Sequence, residues 1–113
     1  MHEAVAEYVG NLKPHHKRAV LLLRELVLER LPHAEEGFGH GFPLYRLRRE
    51  PVVGIAHRKK GLMLYIMRPE LVASYSDRLA GQLDGKSCIC LKRAGKPLRD
   101  DLFPVIEEML LAL

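Results

Sequence analysis

Apolar residues recur along this chain with two different periods. Over Glu3 to Gly10, Val5, Tyr8 and Val9 share one face at helical spacing, and Leu12 continues it. Gly10 suits the left-handed residue that ends a helix. Pro14 suits the first position of the next helix, where its missing N–H is not needed. From Pro14 to Leu31, the stripe Ala19, Leu22, Leu23, Leu26, Val27 and Leu31 predicts a long helix that Pro32 ends. Arg24 and Leu28 fall on another face, and Val20, Leu21 and Leu28 widen the apolar surface beyond one stripe.

The period then shortens. Gly37, Gly39, Gly41 and Pro43 read as a loop or an irregular strand. Tyr45 to Leu47, Val52 to His57 and Leu62 to Met67 read as three strands of a meander. Arg48-Arg49-Glu50-Pro51 separates the first two, and Lys59-Lys60-Gly61 turns between the last two, with glycine supplying the positive φ of a tight turn. Connections this short require antiparallel neighbours. Pro69 to Leu79 predicts a short helix and Ser87 to Lys92 a last strand. Leu102, Val105, Ile106, Met109, Leu110 and Leu113 form the stripe of a final helix, capped by Asp101 and with Pro104 in its first turn. Strands grouped between terminal helices predict an α+β fold, an antiparallel sheet packed against N- and C-terminal helices.

Bulk composition narrows this little. At 113 residues the chain fits a single domain, 1–113, large enough to stay folded without a metal or a disulfide. Its 48% hydrophobic and 28% charged residues exclude a disordered chain. A net charge of +4 favours polyanions through long-range attraction and says nothing about fold. Cys88 and Cys90 stand two residues apart, about 6.6–7 Å along a strand and at the limit of an unstrained disulfide. They read as free thiols in a reducing compartment. Met1-His2-Glu3-Ala4 lacks a basic segment followed by an apolar run, so the expected location is the cytoplasm. The apolar runs, such as Val20 to Leu23 and Met109 to Leu113, fall far short of the roughly 20 residues that cross a bilayer, so no membrane partner is expected.

Several short segments, in this order and spacing, carry a family resemblance. They are Val5-Ala6-Glu7-Tyr8 ahead of a proline-initiated helix, Leu23-Arg24-Glu25-Leu26, and Gly41-Phe42-Pro43-Leu44-Tyr45. Lys59-Lys60 before a Leu-rich strand, Gly85-Lys86-Ser87 before another, and Lys96-Pro97-Leu98 before the last helix complete the set. Over nearly its whole length the chain resembles the bacterial YdhG-like family, a family of unknown function whose members are described as frataxin-like and in some cases as iron chaperones. The resemblance implies that α+β fold and a small intracellular binding or carrier protein, with iron handling as one role. The chain departs from the family at His40, where an aromatic residue is common, at Gly61, where a histidine is common, and at Cys88 and Cys90.

The residues themselves offer several candidate chemistries. Glycines around His40 allow close approach of a ligand or of another chain segment. A ligand-binding set of His40, Gly41, Pro43, Tyr45, Lys59 and Lys60 follows from that loop and from the basic hairpin. Arg46, Arg48, Arg49, Arg58, Lys59 and Lys60 gather at turns and strand ends, where they could grip the phosphates of a nucleic acid or simply keep sheet edges apart. Cys88 and Cys90 share a strand face, yet no CxxC or HxxxH partner completes a metal site, and two soft residues filling a sheet face explain them. His15 and His16 open a helix and, as neighbours in sequence, are not expected to face each other. Glu35-Glu36 and Asp100-Asp101 flank element boundaries, where capping and solvation account for them. No nucleophile elbow and no phosphate-cradling loop occurs, so the expectation is binding rather than catalysis, with no cofactor indicated. Phe103, Leu111 and the second stripe on the Pro14 helix raise homodimerisation as a further expectation.

Overall fold

The computed structural model describes residues 1–79 and 81–113. Its elements run α1 (Glu3–Gly10), α2 (Pro14–Arg30), β1 (Glu35–Gly39), β2 (Phe42–Leu47), β3 (Glu50–Arg58), β4 (Gly61–Ile66), α3 (Pro69–Ser74), a 3-10 turn (Ser76–Leu79), β5 (Cys88–Arg93), a second 3-10 turn (Asp100–Leu102) and α4 (Phe103–Leu111). The five strands form one antiparallel sheet in sequence order. Helices on an antiparallel sheet make the fold α+β, as the residue pattern predicts. The shortest extent, 22 Å, is that of one helix layer on one sheet layer.

Strand alternation sorts the side chains by face. Tyr45, Val53, Ile55, Leu62, Leu64, Ile66, Ile89 and Leu91 meet Val5 and Val9 of α1, Leu23 and Val27 of α2, and Ile106 and Met109 of α4 in the main core. The alternate positions form two smaller clusters on the other face: Phe42, Leu44 and Ala56, and Met63 with Cys88 and Cys90. Both thiols are buried, and burial is the first cause that pushes the Cys88 thiol above its ordinary pKa.

Several expectations need correction. Of the two readings of the Gly37 to Pro43 segment, a loop or an irregular strand, the structure has the strand: it comprises the end of strand β1, a two-residue turn and the start of β2. His40 and Gly41 are the turn's central residues, with φ of 55° and 88°. Both values being positive meets the requirement of the hairpin turn whose twist matches that of its strands. Pro43, which brings no N–H to a ladder, conceals the first half of β2 in the sequence. Arg48 and Arg49 form a second turn of this kind, at φ 52° and 70°, so Glu50 and Pro51 already belong to β3.

The expected Pro69 to Leu79 helix breaks at Tyr75 into a short α-helix and a 3-10 turn. Asp101 does not cap α4; its carboxylate accepts two hydrogen bonds from Arg99, each 2.9 Å. Gly10 is the last residue of α1 without a positive φ, and the Asn11 N–H donates back to the Glu7 carbonyl at 3.1 Å. On α2, Val20 is buried, whereas Leu22, placed in the core stripe by its spacing, is 45% exposed. Four consecutive apolar residues, Val20 to Leu23, surround the helix, so period alone could not choose between them. Leu21, Leu28 and Phe103 pack against the main core, whereas Leu111 is exposed.

Candidate anion-binding site

The sheet and α2 bring basic and imidazole side chains together at one place. Pro14 starts α2 at the N-cap Lys13, and no side chain caps the helix and no acidic residue stands in its first turn. The first backbone N–H groups of a helix have no intrahelical acceptor, and its N-terminal end carries partial positive charge. His15 and His16 project from this turn. The His57 ring, at the end of β3, lies 3.8 Å from that of His16, and the His15 ring lies 3.9 Å from that of His16. The expectation that neighbouring histidines avoid each other is thus corrected. At a helix start there is no preceding turn to restrict their rotamers.

Tyr8 of α1 fixes the far side of His57. Its hydroxyl accepts the His57 backbone N–H at 2.9 Å. Lys92 of β5 reaches the same place because Gly61, at φ 143°, lets the start of β4 approach the Lys92 backbone. A Cβ on Gly61 would lie 1.8 Å from the Lys92 carbonyl oxygen. The result is a cavity of about 380 Å3 lined by His15, His16, His57, Lys59 and Lys92, together with Arg58, and by no carboxylate.

The electrostatics follow from this crowding. His16 is held below its ordinary pKa by burial first and then by His57, His15 and Lys92. His57 is lowered by burial, Lys92 and His15. At neutral pH both imidazoles are therefore neutral hydrogen-bonding groups, and the permanent charge comes from Lys59, Lys92 and Arg58. Among the described residues no group of three His, Cys, Asp or Glu side chains is arranged to hold a metal ion.

The residues singled out in the sequence lie in four places. His40 and Gly41 occupy the exposed tip of the β1–β2 turn, with the His40 ring 6.1 Å from that of Phe42. Pro43 is buried beside Phe38. Tyr45 is fully buried beneath α2, and its hydroxyl donates to Glu36 at 2.8 Å. Lys59 and Lys60 form the exposed β3–β4 turn, and Lys59 alone of the six lines the imidazole cavity. Lys59 and Lys60 also line a second cavity, of about 460 Å3, with Arg58, Tyr65, Met63 and Asp84. Beside it Phe42 stacks on Tyr65 at 5.1 Å, and the Arg58 guanidinium sits 5.5 Å from the Phe42 ring and donates to the Tyr65 hydroxyl at 2.8 Å. His15, His16, His57 and Lys92 were not assembled by sequence reasoning. Their one shared signal is position at element ends, which names no partner until the sheet register is known.

Glu35 and Glu36 do stand at an element boundary, the start of β1, but capping and solvation do not account for Glu36. It lies within β1 and accepts from Arg24 at 2.6 and 3.1 Å, from the His2 backbone N–H at 2.9 Å and from Tyr45. Burial pushes its pKa up, but the Arg24 guanidinium and the His2 and Tyr45 donors prevail and lower it to about 2.

No family model and no curated protein matches the sequence. The fold does match a solved structure, that of a DUF1801 family protein, YdhG, from Bacillus subtilis. The TM-score is 0.79 at 16% sequence identity, over 96% of this chain and 86% of the other. At that identity the likeness shows a shared YdhG-like fold.

Proposed function

We propose that this protein is a binding module for a small anionic ligand, seated in the cavity between the start of α2 and the β3–β4 hairpin. One observation carries the reading: three imidazoles, two lysines and an arginine line one concavity that holds no carboxylate. Like charges crowded together destabilise one another, and an anion relieves that repulsion. The free first-turn amides of α2 add donors of the right sign. Binding without chemistry fits the site, since no nucleophile stands beside a base there.

Two other readings are less well supported. A single-stranded nucleic acid needs open aromatic faces for its bases. Here Phe42 is 5% exposed, stacked on Tyr65 and covered by Arg58, so those faces are already occupied within the protein. Iron handling, which the family resemblance implies, has no three-ligand group among the described residues. The Glu36 carboxylate is already taken up by Arg24, His2 and Tyr45.

Titration of the protein with sulfate or inorganic phosphate, followed by NMR, tests the proposal. Saturable shifts are expected at His15, His16, His57 and Lys92. Lys92→Met is expected to weaken binding by about tenfold or more, the size of one charge-assisted hydrogen bond. Shifts that remain linear in anion concentration, or that Lys92→Met leaves unchanged, would overturn it. Saturable binding of ferrous iron under anaerobic conditions would instead restore the iron reading.

A further inference from the structure

The cationic cavity does not stand alone. A groove of about 500 Å3 adjoins it, and His15 and Lys92 line both. The rest of the groove is formed by Ala19, Leu22 and Leu98, with Arg18 at its side. His15, Ala19 and Leu22 follow one another at steps of four and three residues, so a single face of α2 runs from the imidazole cluster onto apolar surface. Leu22 lies about 10 Å along the helix axis from His15. Met1, Leu22 and Leu111 are the exposed large apolar side chains among the described residues, and Leu22, in the middle of a long helix, is the one that lines this groove, beside Ala19 and Leu98. No carboxylate lines the groove either.

We infer that the ligand of this site is an amphiphile, a phosphate monoester carrying a short aliphatic chain. The phosphate occupies the cavity of His15, His16, His57 and Lys92, and the chain lies along α2 over Ala19 and Leu22 to Leu98. This rests on the anion-binding reading and adds the nature of the rest of the ligand. Charge complementarity orients the occupant: the positive end of the joined site takes the phosphate, and the apolar end formed by Ala19, Leu22 and Leu98 takes the chain. A hydrophilic anion would leave Leu22 in water, and a neutral apolar molecule would leave the cations uncompensated. An apolar chain bearing a terminal phosphate satisfies both ends.

The test compares octyl phosphate, inorganic phosphate, octanoate and octanol on the intact protein by calorimetry and NMR. Octyl phosphate is expected to bind at least about tenfold more tightly than inorganic phosphate, since two buried methylenes already supply that factor. It should also move the Ala19, Leu22 and Leu98 amides, which inorganic phosphate leaves in place. Leu22→Ser is expected to abolish the gain while preserving inorganic phosphate binding and the thermal midpoint. If inorganic phosphate binds and the octyl chain adds nothing, or its gain survives Leu22→Ser, the inference fails and the anion site stands. Octanol binding as tightly as octyl phosphate would also overturn it, by showing an unselective apolar surface. Octanoate matching octyl phosphate would overturn the phosphate assignment in favour of a carboxylate. Failure of inorganic phosphate to bind would remove the anion reading and the inference together.

Discussion

Gly61 brings no side chain to the candidate site and has one of the strictest roles there. At φ 143° it occupies backbone space that L side chains rarely adopt, and an added Cβ would lie 1.8 Å from the Lys92 carbonyl oxygen and 2.9 Å from the Arg93 Cα. Both obstacles are backbone atoms of the neighbouring strand, which cannot rotate away. Gly61→Ala is therefore expected to cost about 3 kcal/mol or more, through strain and loss of β4–β5 pairing. Thermal unfolding followed by circular dichroism should show a midpoint lower by about 10 °C or more. Gly81→Ala, also at positive φ but with nothing within 4 Å of the added Cβ, isolates the cost of the backbone conformation and should lose distinctly less. The same comparison shows why the site was hard to read in the sequence. Glycine as the source of positive φ was legible in Lys59-Lys60-Gly61. That this glycine also admits Lys92 to a cluster with His16 and His57 was not, because it depends on the pairing of Gly61 with Arg93 across two strands distant in sequence.

Elements with an unbroken period were legible, and those interrupted by special residues were not. The stripes of α1 and α4 and the strands β3 and β4 stand out because their apolar residues repeat with little interruption. β1 does not, because Gly37 and Gly39 occupy its alternate positions. These glycines let Leu44 and Arg46 pack closely: a Cβ on Gly39 would come within 3.1 Å of a Leu44 methyl, and one on Gly37 within 3.0 Å of the Arg46 guanidinium. Polar Glu36 points inward, opposite Tyr45, where alternation predicts an apolar residue. Turn chemistry misled in the opposite direction. Arg48 and Arg49 hold positive φ without being Gly, Asn or Asp, a strain of about 1 kcal/mol or more per residue. Exchanging the pair for Asn-Gly, the preferred sequence for such a turn, is expected to raise the thermal midpoint by several degrees, roughly 1–2 kcal/mol. Arg48 lies away from the imidazole cavity, so sulfate affinity should not change. An unchanged or lowered midpoint would mean that the arginines contribute interactions outweighing their strain.

At the scale of the whole molecule, Glu36 is a point where the helix layer is tied to the sheet. It receives hydrogen bonds from His2 at the start of α1, from Arg24 in the middle of α2 and from Tyr45 on β2, while itself lying on β1. Its carboxyl pKa is lowered from 4.5 to about 2. A depressed carboxylate contributes stability that is fully present above the unfolded-state value and is lost as pH falls through the folded-state one. The loss should therefore lie between pH 4.5 and about 2 and amount to on the order of 2 kcal/mol for this group. His16 and His57 act in the same direction at higher pH. Both are lowered from 6.5, so the unfolded chain takes up their protons first and stability declines as pH falls below 6.5. A bound anion reverses that second effect, because it favours the protonated imidazoles in the folded state. Thermal midpoints measured from pH 8 to pH 2 should fall in two stages, a shallow one below 6.5 and a steeper one below 4.5. Glu36→Gln should lower the midpoint at pH 7 and remove the steeper stage, so that variant and parent converge near pH 2. Sulfate should flatten the shallow stage alone, and less so in His57→Gln. A steep stage that survives Glu36→Gln would place the acid sensitivity elsewhere. A shallow stage indifferent to sulfate would separate the imidazoles from anion binding, since a ligand stabilises only the state that binds it.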